Sequence, residues 1–224
     1  MAGRVPRLPP LCAVLFDLDG TVLDPNGSIR ATIDHVLAAA GLEPIAPEEV
    51  LVGMPLRDIL ALRAAEPARV EALVAHYRRH FGDTTWRLVR WIPGVRGVVE
   101  GLRAQGTRTA VVTTKGEGEA DRLLRDLGVR GLFDTVVGDD DERPVKPDPA
   151  PVLEACRRLG VAPWEAAMVG DTRFDVEAGR AAGCRTVAVL WGHGTPEVGA
   201  QADAMAADAA SLARLLAAWR TRGG

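Results

Sequence analysis

The chain has 224 residues, of which 47% are hydrophobic and 25% are charged. The length suits a single large domain or one domain with a smaller insertion. The composition is typical of a soluble globular protein and excludes a disordered, collagenous or coiled-coil protein. The formal charge of −3 argues against a nucleic-acid partner, and no apolar run approaches the roughly 18 residues of a membrane span, so we expect a cytoplasmic protein with no membrane partner.

The first predicted strand, Ala13–Phe16, is followed by a long segment that contains only helical patterns. Turn-rich sequences, Asp24–Gly27 and Trp91–Gly94, flank this segment. We therefore predict an all-helical cap at residues 25–91, inserted after the first strand of a core formed by residues 1–24 and 92–224. The predicted cap helices are Ile29–Ala40, Pro47–Val52, Leu56–Ala65 and Arg69–Phe81.

The remainder of the chain alternates between amphipathic helical patterns and short apolar runs. Each helical pattern stops at a glycine, which readily adopts the left-handed conformation that ends a helix; the patterns are Val95–Gln105, Glu119–Leu127, Pro149–Leu159 and Asp175–Ala182. The apolar runs predict buried strands at Thr109–Val112, Thr135–Val137, Ala167–Val169 and Thr186–Leu190. This alternation predicts an α/β fold with a Rossmann-like, mainly parallel sheet. An alanine-rich tail predicts one last docking helix, with Leu212, Leu215, Leu216 and Trp219 on its apolar side.

Two aspartates follow the first predicted strand, in the sequence Asp17-Leu-Asp19-Gly-Thr. In open α/β sheets, ligands bind at the carboxyl ends of the strands, which is where Asp17 and Asp19 fall. Two carboxylates this close repel each other unless a cation lies between them or one of them holds a proton. The pair therefore indicates a nucleophile or metal ligand beside an acid–base group, whereas helix capping by turn aspartates is the alternative interpretation.

A second acidic cluster follows a later predicted strand, in the sequence Gly170-Asp171-Thr-Arg-Phe-Asp175. Hard carboxylate oxygens suit Mg²⁺, which usually takes one or two protein carboxylates and completes its shell with water and phosphate. Helix capping explains Asp171 or Asp175 alone, but hardly all four acids at strand ends. The second cluster therefore favours a functional interpretation of these acids, with Mg²⁺ as a suitable ion, over helix capping.

Anion-binding groups are predicted at the remaining strand ends. Thr113 and Thr114 end a strand and open a helix, where hydroxyl and amide groups can hold a phosphate. Lys146 lies in a proline-rich loop and is one of only two lysines among 27 basic side chains. A lysine in a chain that otherwise uses arginine indicates a need for a compact point charge. Considered singly, Thr113 and Lys146 are also explained as an ordinary strand end and a solvated loop residue.

The order of these motifs resembles the haloacid dehalogenase superfamily of phosphohydrolases, which use an aspartate as nucleophile. The motifs are Asp-x-Asp-Gly-Thr, a strand-end threonine, Lys-Pro and Gly-Asp-x-x-x-Asp, each after its own strand, and they extend over nearly the whole chain. The helical insertion lies where the first type of cap lies in that superfamily. The run Val-Thr-Thr-Lys115 and the cap segment from Val52 to Asp58 look like the phosphoglycolate phosphatase branch.

The resemblance implies a Mg²⁺-dependent phosphatase that hydrolyses a small phosphorylated metabolite, such as phosphoglycolate, through an aspartyl-phosphate. It implies that Asp17 is the nucleophile and that Asp19 protonates the leaving oxygen and then activates water. It also implies that Mg²⁺ is held by the Asp17 carboxylate, the backbone carbonyl of Asp19 and the Asp171 carboxylate.

Further roles follow from the same resemblance. Thr113, Thr114 and Lys146 are expected to bind the phosphate, and Asp175 to orient Lys146 or a metal-bound water. Arg57 matches a cap arginine of the branch and is expected to meet a distal anionic group of the substrate, with a solvated helix arginine as the alternative. We expect a monomer or a homodimer.

Several alternatives stay open at this point. A phosphomutase shares the Asp17 and Asp19 chemistry, and inorganic pyrophosphate is a plausible substrate because related caps resemble this one. Asp19 argues against a dehalogenase, which has no leaving group that needs an acid, and the absence of lysine from residues 25–91 argues against a phosphonatase. A regulatory domain phosphorylated on aspartate, or a non-catalytic binding protein, is the alternative of a different class. Slow decay of a trapped aspartyl-phosphate would favour signalling, and repeated turnover would favour an enzyme.

Overall fold

The computed structural model describes residues 10–25, 27–46, 54–140 and 142–221. In these residues the strands are β1 (Ala13–Phe16), β2 (Leu23–Asp24), β3 (Arg90–Trp91), β4 (Arg108–Gly116), β5 (Thr135–Asp139), β6 (Ala166–Gly170), β7 (Arg185–Val189) and β8 (Ala204–Ala206). Six of them form one sheet in the order β5-β4-β1-β6-β7-β8, in which every neighbouring pair is parallel. The central strand β1 thus lies between β4 and β6, where the strand order changes direction along the sheet and where α/β proteins place their ligands.

The helices of the described residues are α1 (Ser28–Ala39), α2 (Leu56–Ala61), α3 (Pro67–Asp83), α4 (Val95–Ala104), α5 (Glu117–Asp126), α6 (Ala150–Leu159), α7 (Arg173–Ala182), α8 (Pro196–Gly199) and α9 (Ala209–Thr221). Alternate residues of β1 point to opposite faces of the sheet. Ala13 and Leu15 share a core with α6 and α7, whereas Val14 and Phe16 share one with α4, α5 and α9. The sheet is therefore buried on both faces, which explains why its strands read as continuous apolar runs.

Helices α1, α2 and α3 lie between the two short strands β2 and β3, which pair with each other in antiparallel orientation. Leu23 pairs with Trp91 and Asp24 pairs with Arg90. The chain therefore enters and leaves the helical segment through one two-stranded ribbon, beside the loop that follows β1. Among the described residues, no helix combines the length and the apolar character that crossing a membrane requires.

The predicted fold class is confirmed, since the sheet is parallel and flanked by helices. The predicted helix Leu56–Ala65 is shorter than expected and ends at Ala61. The next helix begins at Pro67, after an extended backbone at Glu66. The predicted helix Pro47–Val52 lies outside the described residues. The short strands β2, β3 and β8 were not predicted from the sequence.

Candidate active site

Three neighbouring strands end at one edge of the sheet and bring their polar residues together there. Phe16 of β1 lies in register with Val111 of β4 and Val169 of β6. The next residue, Asp17, donates its backbone amide to the Val169 carbonyl at 2.9 Å. The side chains that follow each strand therefore converge because parallel pairing aligns the strand ends.

Lys146 crosses from the loop before α6 to the centre of this cluster. Its Nζ lies 2.7 Å from Asp17 Oδ1 and 2.9 Å from the Val112 carbonyl oxygen, and it also donates to Asp175 Oδ1. Only 3% of the side chain is exposed, so its three donors meet three protein acceptors. Asp175 is fixed in turn, because its Oδ2 accepts hydrogen bonds from the Thr172 amide and hydroxyl at 3.0 and 2.7 Å.

Burial disfavours the charged forms of these side chains, and the carboxylates of the cluster also repel one another. Burial lowers the pKa of Lys146, but the carboxylates of Asp17 and Asp175 outweigh it and hold that pKa above its ordinary value. Burial raises the pKa of Asp17 well above its usual range; Lys146 lowers it, whereas Asp175 and Asp171 raise it further. The cluster therefore contains one cation for several carboxylates and is short of positive charge.

Asp171 lies at the carboxyl end of β6 and is fully buried. Its Oδ1 accepts a hydrogen bond from the Thr21 hydroxyl at 2.8 Å, and its Oδ2 accepts one from the His193 amide at 2.9 Å. Burial raises the pKa of Asp171, and Asp175 adds to the rise. Gly20 has a φ of +92°, and a Cβ there would lie 2.3 Å from Asp171 Oδ2. Glycine at this position therefore permits the loop after β1 to approach the carboxylate.

Three buried carboxylates, those of Asp17, Asp171 and Asp175, each offer an oxygen within 4.8 Å of the others. Hard oxygen donors in such a group suit a divalent cation such as Mg²⁺. Both oxygens of Asp175 are already engaged by Lys146 and Thr172. Asp17 and Asp171 directly follow the neighbouring strands β1 and β6, and we consider these two as the candidate cation ligands.

Asp19 points away from this cluster toward Lys115. Its Oδ2 lies 3.2 Å from Lys115 Nζ, and its Oδ1 is buried with no hydrogen-bond partner among the residues that the structure describes. Lys115 also lies 3.5 Å from Glu119 Oε1, and its ammonium stands 4.5 Å from the centre of the Phe81 ring. Burial lowers the pKa of Lys115, but Asp19 and Glu119 raise it by more, and Lys115 therefore stays charged.

Two cavities meet at this edge of the sheet, and Asp19, Ile29, Ile59 and Thr114 line both. The first cavity is lined by Asp17, Thr113 and Lys146 of the cluster. The other extends between the helical segment and the core, with Arg57, Tyr77, Arg78, Lys115, Glu119 and Asp139 among its lining. A small ligand with its reacting group near Asp17 has room to extend into the second cavity.

Arg57 spans the helical segment and the core. Its guanidinium donates to Glu71 of α3 at 2.7 and 3.1 Å and to Asp139, at the end of β5, at 2.8 Å. Arg57 therefore lines the cavity and is paired, and its contact with a substrate stays a prediction.

The structure brings most of the predicted residues to one place. The predicted residues around the two cavities are Asp17, Asp19, Thr113, Thr114, Lys146, Asp175 and Arg57, and Asp171 joins them through the carboxylate cluster. Sequence reasoning missed the contact of Lys115 with Asp19 and the two groups that hold Asp171. The scarcity of lysine was the signal that could have singled out Lys115 as well as Lys146.

Comparisons with known proteins point to one family. Residues 14–189 match the family model described as haloacid dehalogenase-like hydrolase. The chain is 35% identical over 182 residues to a phosphoglycolate phosphatase of Aquifex aeolicus, covering 80% of this chain and 85% of the relative. It is 38% identical over 181 residues to pyrophosphatase PpaX of Bacillus velezensis, covering 80% of this chain and 83% of the relative.

Solved structures share the fold. A predicted phosphatase from Clostridium acetobutylicum has a TM-score of 0.82 at 20% identity, covering 93% of this chain and 99% of that one. A haloacid dehalogenase-like hydrolase from Streptococcus pneumoniae has a TM-score of 0.79 at 24% identity, covering 92% of this chain and 98% of that one. At these identities the likeness extends to the fold alone.

Proposed function

Because the chain belongs to the haloacid dehalogenase-like hydrolases, we propose that it is a Mg²⁺-dependent phosphatase that forms an aspartyl-phosphate on Asp17. The observation that carries the proposal is the buried Lys146, which contacts Asp17 and Asp175 at the edge of the sheet where Asp171 also lies. A cation between carboxylates at strand ends suits a phosphoryl group, whose negative charge needs both a nucleophile and positive partners.

The proposed reaction has two steps. In the first, an Asp17 carboxylate oxygen bonds to phosphorus while the bond from phosphorus to the leaving oxygen breaks and Asp19 gives that oxygen a proton. In the second, Asp19 takes a proton from water, the water oxygen bonds to phosphorus, and the bond to Asp17 breaks. Both groups return to their starting state, and inorganic phosphate leaves.

The remaining phosphate oxygens are assigned to Lys146, Thr113 and Thr114. Lys146 is held in place by the Val112 carbonyl as well as by the two carboxylates. Thr113 is buried at the end of the run that pairs with β1, and its hydroxyl accepts a hydrogen bond from the Lys115 amide at 3.1 Å. The Thr113 hydroxyl hydrogen is therefore available to a phosphate oxygen.

The donor set fits Mg²⁺. We assign the ion to the carboxylates of Asp17 and Asp171 and to the backbone carbonyl of Asp19, with Asp175 orienting Lys146. Bound there, the ion would supply positive charge to the transferring group. Thr21 and the His193 amide support the assignment, because they hold both oxygens of Asp171 in one orientation.

Residues 25–91 are proposed to act as a cap that excludes water during the transfer and opens for release. The ribbon of β2 and β3 supports this proposal, because it places the two connections of the segment side by side. The ion pair between Arg57 and Asp139, 2.8 Å long, links the segment to the core in the lining of the second cavity.

We propose phosphoglycolate, or a similarly small phosphomonoester with a distal acid, as the substrate. Support comes from relatives named phosphoglycolate phosphatase at 35% and 37% identity and from Arg57 in the lining of the second cavity. Inorganic pyrophosphate is the second candidate, because relatives named pyrophosphatase PpaX reach 38% identity. The cytoplasmic location and the monomeric or homodimeric state stay predictions.

The test is phosphate release with Mg²⁺ from phosphoglycolate, pyrophosphate, sugar phosphates and nucleotides. Wild type is compared with Asp17→Asn, which can still accept the Lys146 hydrogen bond, and with Asp83→Asn as an exposed control. We expect repeated turnover in wild type and the control, and none in Asp17→Asn or with chelator. Isomerised product without phosphate would indicate a mutase, and a long-lived phosphoprotein without turnover a regulatory domain; either would overturn the proposal.

A further inference from the structure

Lys115 is a buried cation that the proposed reaction does not use. It lies near the end of β4, and only 6% of its side chain is exposed. Its ammonium is 3.2 Å from Asp19 Oδ2 and 3.5 Å from Glu119 Oε1. A buried ammonium with two carboxylate partners is fixed in position and in turn fixes what it contacts.

The contact distinguishes the two oxygens of Asp19. An ammonium group has three donors and no acceptor, so the oxygen that faces Lys115 has to accept. A proton carried by Asp19 therefore belongs on Oδ1, the oxygen that is buried and has no partner in the described part of the chain. Leaving a buried polar oxygen unpartnered is costly. The position of Asp19 Oδ1 is explained if a leaving oxygen or a water becomes its hydrogen-bond partner during the reaction.

The helical segment closes over the far side of Lys115. Phe81 of α3 is 1% exposed, and its ring centre is 4.5 Å from Lys115 Nζ. Tyr77, one turn earlier on α3, stacks on Phe81 with ring centres 5.8 Å apart. An aromatic face attracts a cation and excludes water from it. The position of α3 therefore affects how firmly Lys115 holds Asp19.

We propose that Lys115 is a positioning residue that presents Oδ1 of Asp19 to the leaving oxygen, and that Phe81 makes this placement depend on the closed position of the cap. Glu119 is the second carboxylate partner of Lys115. It keeps the ammonium paired while Asp19 carries the proton that is transferred. The proposal rests on the proposed function, since it assumes that Asp19 is the acid.

The test compares two substrates whose leaving groups differ in their need for a proton. An alkyl phosphate such as 2-hydroxyethyl phosphate needs a proton on its leaving oxygen, whereas 4-nitrophenolate leaves as a stable anion. The quantity to compare is kcat/KM, because it reports on transfer to Asp17 even when hydrolysis of the intermediate limits kcat. For Lys115→Met we expect kcat/KM to fall by about 10²-fold on 2-hydroxyethyl phosphate, the scale of a general-acid contribution, and much less on 4-nitrophenyl phosphate.

Three further measurements make the result specific. Phosphoglycolate should lose as much as 2-hydroxyethyl phosphate; a loss confined to phosphoglycolate would make Lys115 a binder of the substrate carboxylate and overturn the proposal. Phe81→Leu keeps an apolar side chain and should also lose more kcat/KM on 2-hydroxyethyl phosphate than on 4-nitrophenyl phosphate, by a smaller factor. This variant provides the test if Lys115→Met fails to fold. Arg122→Met is the matched control, because Arg122 links α5 to the Gly82 carbonyl at 3.2 Å without reaching Asp19.

Equal losses on alkyl and nitrophenyl phosphates, in Lys115→Met and in Phe81→Leu, would overturn the inference and leave the proposed function intact. A wild type that hydrolyses neither class would instead overturn the proposed function, and this inference with it.

Discussion

Lys146 and Asp17 are 129 positions apart in the chain, yet Lys146 Nζ lies 2.7 Å from Asp17 Oδ1. The contact forms because Asp17 follows the central strand while the loop after β5 returns across the same edge of the sheet. Asp175 shares the ammonium from the opposite side. One cation thus separates two buried carboxylates that would otherwise repel each other.

Replacing that cation should destabilise the protein as well as inactivate it. Lys146→Met leaves Asp17 and Asp175 buried without a partner charge, for which the expected loss is about 3–5 kcal/mol at neutral pH. Burial raises the pKa of Asp17, so the loss should shrink as the pH falls and the Asp17 carboxyl becomes neutral, because protonation removes the repulsion. Urea unfolding at several pH values measures this. Arg96→Met, at an exposed ion pair of α4, is the control and should leave stability nearly unchanged.

Asp171 should link stability to both pH and Mg²⁺. Burial holds its pKa above the unfolded value, so the folded protein binds more protons between the two pKa values and loses stability as the pH rises through that range. Asp171→Asn can keep both hydrogen bonds, with its amide donating to Thr21. Without metal we therefore expect the variant to melt about 2–8 °C above wild type at neutral pH, with a smaller gap in acid.

Adding Mg²⁺ should reverse that order. At a concentration about 100 times its Kd, a ligand bound only by the folded state stabilises it by about 2.7 kcal/mol, and Asp171→Asn should gain little of this. Melting curves of wild type and Asp171→Asn, recorded with Mg²⁺ and with chelator, test both expected orders of stability. Equal Mg²⁺-induced shifts in both proteins would remove Asp171 from the metal site.

The motifs at the strand ends were predictable because they depend on local sequence. Asp17 and Asp171 each follow a buried apolar run, and parallel pairing then aligns the ends of β1 and β6. The order of the strands was not needed to group these residues, since every βα unit places its polar loop at the same edge.

The contacts of Lys115 were not predictable in the same way. Strand alternation normally fixes which face a side chain occupies, but the pairing of β4 with β5 shifts register between Val112 and Gly116. An irregularity of this kind redirects the side chains around it. The approach of Phe81 depends on packing between α3 and the core, for which the sequence carries no local signal. The pairing of β2 with β3 was missed because two residues are too few to show a period.

Arg57 and Asp139 should affect the KM for phosphoglycolate in opposite directions. We expect Asp139 to compete with the substrate carboxylate for the guanidinium that it now contacts at 2.8 Å. Arg57→Ala should therefore raise KM by about tenfold, one charged contact, with little change in kcat, whereas Asp139→Asn should lower KM. Substrate titrations measure both. Neither effect should appear with 2-hydroxyethyl phosphate, and Arg69→Ala, on the same helical segment, is the matched control.

Gly20 and Gly27 offer a comparison that isolates the geometry of the metal site. Both have positive φ, +92° and +75°, so alanine at either position incurs a similar backbone strain of about 1–2 kcal/mol. A Cβ at Gly27 would meet no atom of the described residues within 4 Å, whereas one at Gly20 would lie 2.3 Å from Asp171 Oδ2. Asp171 cannot retreat without breaking its hydrogen bonds to Thr21 and His193. We therefore expect Gly20→Ala to lose the Mg²⁺-induced rise in melting temperature together with activity, and Gly27→Ala to keep both; similar behaviour of the two variants would show that the loop can shift away from Asp171 without harm.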